Sequence, residues 1–165
     1  MIPISSLPWT TDGTLEVLSF GLGGETLAIE APLVQEILDL LPETAVPGAD
    51  PLVGHVINFR GRVIPLADLR PAFGMEQAAP TRDSRIVVIT LPVGDSDELI
   101  GLRADRVNEV TTLPMAACEA PPMIGMRWPR GHVRALVRQA DGVTVLPDLH
   151  SIFDALIQRT THINH

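Results

Sequence analysis

Two carboxylates of this chain stand in the same local context. Asp68 opens DLRPAF and Asp148 opens DLHSIF, so each precedes Leu-x-x-x-Phe. Paired carboxylates can divide acid and base roles, as in glycoside hydrolysis. The repeated context argues instead for two structural helix caps. An Asp at an N-cap accepts hydrogen bonds from free first-turn N–H groups, which is worth about 0.5–2 kcal/mol. Pro71 fits a first helical turn, and Gly74 suits the C-terminal side of such an element. The histidines at 55, 132, 150, 162 and 165 form no HExxH or similar pair, and His162 and His165 read as solvated residues of a polar tail. Cys118 has no second thiol for a disulfide or a CxxC motif, and no basic neighbour that would activate it. There is no GxSxG elbow and no P-loop, and the glycines of GLGGE lie inside a hairpin pattern, where they read as turn residues. The expectation is therefore no catalytic residue, no metal and no cofactor. The rival class, a small barrel enzyme or ligand-binding module, predicts turnover that disappears on Asp68→Asn with little change in stability.

The arginines are more informative. The chain has 12 Lys and Arg against 20 Asp and Glu, yet three arginines fall within VINFRGRVIPLADLRPAF, residues 56–73. Arg60 sits among Val56, Ile57, Phe59, Val63 and Ile64. A guanidinium beside buried positions needs a carboxylate or several carbonyls. Glu36 is the first candidate partner, the other reading being an ordinary exposed glutamate. Arg62 and Arg70 read as solvated residues of a hairpin and a first turn.

The elements that would position these residues follow from pattern. With 165 residues, 45% of them hydrophobic, the chain can bury a core as one domain or two small lobes. A net charge of -8 speaks against nucleic acid or an anionic membrane as partner. No apolar run reaches membrane-spanning length and no signal peptide is apparent, so a soluble cytoplasmic protein without membrane insertion is expected. The 15 Pro and 13 Gly favour short strands over long helices. Residues 1–13 read as a flexible lead-in. LEVLSFGL and ETLAIE form a hairpin pattern. In APLVQEILDLL the apolar residues Leu33, Val34, Ile37, Leu38 and Leu41 recur at helical spacing after Pro32, which predicts a short helix or helical turn carrying Glu36. VGHVINFR and RVIPLA are strands joined across Arg60-Gly61-Arg62. SRIVVITL and ELIGLRA follow, then DRVNEVTTLP, an irregular stretch over 115–129, the strands HVRALVRQ and VTVLP, and a final helix over 148–158.

Two motifs recur in the same order. VQEI at 34–37 is echoed by VNEV at 107–110, and DLRPAF by DLHSIF. The order suggests a duplication, with approximate halves at 15–75 and 84–155, elements shared between them, a single domain over 14–158 and a flexible tail at 159–165. The expected fold class is mainly β, with two small barrels that fold as one unit. The groove between the barrels is the natural place for a ligand.

Val56–Met75, VINFRGRVIPLADLRPAFGM, resembles the hallmark of CheW-like domains, in which an Asn-Leu-Arg-Gly hairpin runs into an apolar strand and then Asp-Leu-Arg. The resemblance extends from Leu15 to about Phe153, through VQEI, IGLRADRVNEV and DGVTVLPDL. It implies two five-stranded SH3-like lobes with a few short helices and a scaffold without catalysis. Such a scaffold joins the cytoplasmic tip of a chemoreceptor to the regulatory domain of a CheA-type histidine kinase in chemotaxis signalling. It implies recruitment to membrane-associated receptor arrays, with self-association there left open. A CheW-like adaptor of a pilus or other chemosensory pathway is the alternative within the family. By motif, Arg60 and Glu36 match paired charges beside the receptor groove, with Val34, Ile37, Val56, Ile57 and Asn58 lining or supporting it. Val87, Ile89, Ile100 and Leu102 are assigned to, or beneath, the kinase contact. Phe59, His55, Ala135 and Pro147 depart from the residues usual at their positions.

Overall fold

The structure, a computed structural model, describes residues 7–122, 124, 128–140 and 142–154. The expected tail, with His162 and His165, and the end of the final helix lie outside them. Among the described residues, alternating and doubly apolar runs give twelve strands in two six-stranded sheets. One sheet holds β1 (Thr14–Leu22), β2 (Glu25–Glu30), β9 (Arg106–Pro114), β10 (Cys118–Glu119), β11 (Val133–Gln139) and β12 (Gly142–Pro147), in the order β10-β11-β12-β2-β1-β9. The other holds β3 (Val34–Leu38), β4 (Glu43–Ala45), β5 (His55–Phe59), β6 (Arg62–Ala67), β7 (Arg85–Val93) and β8 (Ser96–Ala104), in the order β3-β7-β8-β6-β5-β4. The expected mainly β, two-lobed SH3-like architecture is the one found. The short edge strands β4 and β10 raise each sheet from five strands to six.

Reading the second order backwards superposes the two plans, β4 on β10, β5 on β11, β6 on β12, β8 on β2, β7 on β1 and β3 on β9. Each sheet has one parallel junction at the same place, Leu27 opposite Val145 in one and Leu102 opposite Ala67 in the other. Each also has a β-bulge at the same place, around Gln35 in β3 and Asn108 in β9, the middle residues of the echoed VQEI and VNEV. The lobes cut across the sequence halves. One is continuous from β3 to β8, and the other joins the opening hairpin β1–β2 to β9–β12.

Three apolar clusters hold this arrangement. One fills the β3–β8 lobe with Ile57, Phe59, Ile64, Leu66, Ile86 and Val88, and another fills the partner lobe around Leu15, Val17, Ala135 and Leu146. The third lies between the sheets and unites Phe20, Leu27, Val87, Ile89, Ile100, Leu102, Val145 and Phe153. RIVVITL is apolar on both faces because β7 serves two cores, Ile86 and Val88 inside its lobe and Val87 and Ile89 between the lobes. The interior between the lobes is thus packed, and a partner can meet them only at the surface.

Local structure departs from the sequence reading in three places. Of the short helix or helical turn expected after Pro32 there is a single 3-10 turn, Ala31–Leu33, and Glu36 lies beyond it on strand β3. The bulge at Gln35 interrupts two-residue alternation, so the apolar spacing imitates a helix. The lead-in is docked from Leu7, which is buried in the same cluster that Trp9 packs against. Asp148 does cap the final helix, its Oδ1 accepting from the Ser151 N–H at 3.0 Å. Its echo Asp68 cannot do the same, since Pro71 stands where Ser151 does and has no N–H. Asp68 accepts instead from the Arg70 N–H at 3.0 Å, and only the 3-10 turn Pro71–Phe73 follows, ended by Gly74 at φ 66°.

Candidate functional site

Phe59 pairs with Arg62 across the β5–β6 ladder, which leaves a two-residue loop, Arg60-Gly61. Both loop residues have positive φ, 52° and 81°, the backbone of a type I′ turn. Among the described residues Arg60 is the one non-glycine residue with positive φ. The loop is closed by Asn58, whose Oδ1 accepts the Gly61 N–H at 2.9 Å.

This backbone aims Arg60 at β3. Its Nη2 lies 2.9 Å from Glu36 Oε2, and its guanidinium carbon lies 5.1 Å from the centre of the Phe59 ring. The partner expected for Arg60 is therefore found, on a strand rather than a helix. The side chains are 71% and 34% exposed, so the pair is a surface one. Such pairs contribute about 0–1 kcal/mol to stability, not the 3–5 kcal/mol lost on breaking a desolvated pair. Ile37 is 42% exposed beside this pair, and Val63, on the strand after the loop, is 70% exposed. Val34 and Val56 are half-buried and Asn58 is exposed, while Ile57 is buried and supports the strand from within the lobe. A cation, a carboxylate and exposed aliphatic side chains on one surface can recognise an amphipathic protein segment.

The residues tied to the kinase contact fare differently. Val87, Ile89, Ile100 and Leu102 are all buried in the cluster between the sheets. None faces outward, because both faces are covered along Ile86–Ile89 of β7 and Ile100–Leu102 of β8, and their part is in joining the lobes.

Arg70 also departs from the sequence reading. It is not a solvated first-turn residue, for its side chain is only 4% exposed and lies between two carboxylates. Nη1 is 3.2 Å from Asp68 Oδ1, and Nη2 donates to Asp105 Oδ1. Asp105 in turn accepts the Gly23 N–H on its other oxygen at 2.8 Å. The chain Asp68–Arg70–Asp105–Gly23 thus ties the end of β6 and the β8–β9 corner to the β1–β2 turn of the other lobe. No local pattern announces the links through Asp105, since Arg70 and Gly23 both lie far from it in sequence. A cleft of about 380 Å³ beside it is lined by Glu43, His55, Asp68, Arg70, Arg103 and Asp105, whose charges largely compensate one another. There the hydrogen bonds from Arg103 hold the Glu43 carboxyl below its ordinary value of 4.5, and His55 Nε2 lies 3.7 Å from Glu43. Burial pushes the Cys118 thiol up, which disfavours the reactive thiolate.

Comparison with known proteins joins these features. The chain is 30% identical over 143 residues to the chemotaxis protein CheW of Rhizobium meliloti (strain 1021), covering 87% of this chain and 90% of that one. It is 27% identical over 139 residues to the chemotaxis protein CheW of Bacillus subtilis (strain 168), covering 84% and 86%. The crystal structure of the scaffolding protein TtCheW from Thermoanaerobacter tengcongensis superposes with a TM-score of 0.73 at 26% identity, covering 82% of this chain and 85% of that one. Residues 16–156 match the family model of the CheW-like domain, and the chain belongs to the CheW-like family.

Proposed function

We propose that this chain is a non-enzymatic adaptor that couples chemoreceptor cytoplasmic tips to the regulatory domain of a CheA-type histidine kinase in chemotaxis signalling. It acts in the cytoplasm, at membrane-associated receptor arrays. The observation that carries this reading is the Arg60–Glu36 pair between the β5–β6 hairpin and β3, beside exposed Ile37 and Val63, a surface suited to an amphipathic receptor helix. The names of the relatives, chemotaxis protein and scaffolding protein, support it. The mechanism is simultaneous weak contact. Affinities near micromolar, about -8 kcal/mol each, are multiplied when receptor and kinase are held together. Val87, Ile89, Ile100 and Leu102 underlie the kinase-facing surface without forming it.

The test is a binding titration against the cognate kinase regulatory domain, with and without a receptor cytoplasmic fragment. Binding to both partners, with tighter assembly when both are present, is expected. Binding to neither would reject the adaptor reading, and binding only to components of another chemosensory pathway would move the chain to that pathway.

A further inference from the structure

We propose that Phe59 is a positioning residue for Arg60, fixing the guanidinium where a receptor tip would meet it; this rests on the adaptor reading above. Arg60 is mostly exposed, and a long exposed side chain ordinarily loses rotamer freedom when it is captured by a partner. Here the freedom is already reduced. The left-handed backbone sets the direction of the side chain, Glu36 holds its tip at 2.9 Å, and the Phe59 ring lies 5.1 Å from its guanidinium carbon. A ring attracts a cation through the negative potential of its face, which an aliphatic side chain lacks.

The ring is itself immobilised. Phe59 is only 7% exposed and packs in the lobe core with Ile57, Ile64, Leu66, Ile86 and Val88. The rigidity of the core is therefore passed to an exposed cation through one aromatic contact. Leucine at this position would keep the core apolar but leave Glu36 as the main restraint on Arg60.

The experiment uses the full chain and four forms, wild type, Phe59→Leu, Arg60→Ala and the double variant, with amide NMR spectra confirming the fold of each. In the wild type the Arg60 Nε–H resonance is expected upfield from the ring current, and Phe59→Leu should return it toward the free-arginine position. Affinity for a receptor cytoplasmic fragment should fall about two- to five-fold in Phe59→Leu, the equivalent of the 0.5–1 kcal/mol of an exposed cation–π contact. In the Arg60→Ala background the same substitution should cost nothing further. An unmoved Arg60 resonance in Phe59→Leu overturns the proposal, and so does an affinity loss that persists without Arg60. If the resonance shifts while Arg60→Ala leaves receptor affinity untouched, the receptor role falls and the Phe59–Arg60 geometry stands, so the two failures are distinguishable.

Discussion

In the β3–β8 lobe the hairpin loop at 60–61 holds Arg60 against Glu36; in the other lobe Gln139 pairs with Gly142 at the corresponding place, Ala140 follows Gln139, and Glu109 stands where Glu36 does. The apolar surroundings are nevertheless repeated. Ile37 and Val110 occupy equivalent positions at 42% and 59% exposure, and so do Val63 and Val143 at 70% and 48%. Buried charge is asymmetric too, since Arg70 is clamped between two aspartates while its echo His150 has no such pair among the described residues. Another position is inverted: Arg103 at the end of β8 pairs with Glu43, whereas the equivalent residue of β2 is Glu30, which pairs with Arg134 at 3.4 Å. Topology and surface apolarity were thus kept in both lobes while the charges diverged. A duplicated frame needs its hydrogen-bond plan and core in both copies, but a recognition charge is needed only where the partner binds.

Substitutions that remove one side of this contrast should separate the lobes, and the largest effect belongs to the buried clamp. Arg70→Ala removes the shared partner of the largely buried Asp68 and the one-third exposed Asp105, and a loss of about 3 kcal/mol in chemical denaturation is expected, the low end for breaking a buried pair. His150→Ala, its counterpart, should stay within about 0.5 kcal/mol. Equal costs at the two positions would show that the clamp is not what distinguishes them.

The hairpin tips come next. Arg60→Ala should weaken binding of a receptor fragment about tenfold or more, as for an interface residue worth over 1 kcal/mol, while lowering stability by less than about 1 kcal/mol. Glu109→Ala should leave that binding unchanged, and a matching loss there would erase the functional difference between the tips. Titration calorimetry alongside thermal melts reads both quantities.

A smaller effect is expected from acid. Glu43 has its carboxyl depressed in the folded state, first through the Arg103 hydrogen bonds. Its contribution is therefore present above the ordinary value of 4.5 and is lost as pH falls through the lower folded value. Stability curves of wild type and Arg103→Gln should lie apart above pH 4.5 and converge below it; a gap that is constant with pH would assign the Arg103 contribution to packing alone. The smallest change is expected from Ala140→Arg, which restores the missing cation opposite Glu109. It should alter stability by no more than about 0.5 kcal/mol and confer no second receptor site in a stoichiometry measurement.

Much of the frame was legible because it rests on local chemistry. The strands of both hairpins follow from alternation and turn residues, and the echoed VQEI and VNEV fall at matching places in two sheets of the same strand plan. Arg60 was legible as well, as a charge among apolar residues, and so was its partner. What could not be read depends on through-space company. The bulge at Gln35 made a strand spell a helix, and it also turns Glu36 toward the half-buried side while Ile37 faces solvent. That inversion of polarity occurs where the candidate surface is, in keeping with local rules giving way at recognition sites. Val87, Ile89, Ile100 and Leu102 could not be divided between inside and outside because a strand serving two cores has no polar face to mark. Arg70 looked solvated since Asp105, its partner, arrives only after two further strands.

The crossing of strands between halves has a consequence for how the protein is made. The β3–β8 lobe is encoded without interruption, so its strands can all pair once Ala104 has left the ribosome. The hairpin synthesised before it must wait, for Thr14 pairs with Pro114 and Leu27 with Val145. During translation β1 and β2 therefore carry unpaired edges, the condition in which β-proteins are most open to misassociation. Strands β1 and β2 are made before the β3–β8 lobe yet completed after it, for their lobe closes only once Pro147 has been synthesised.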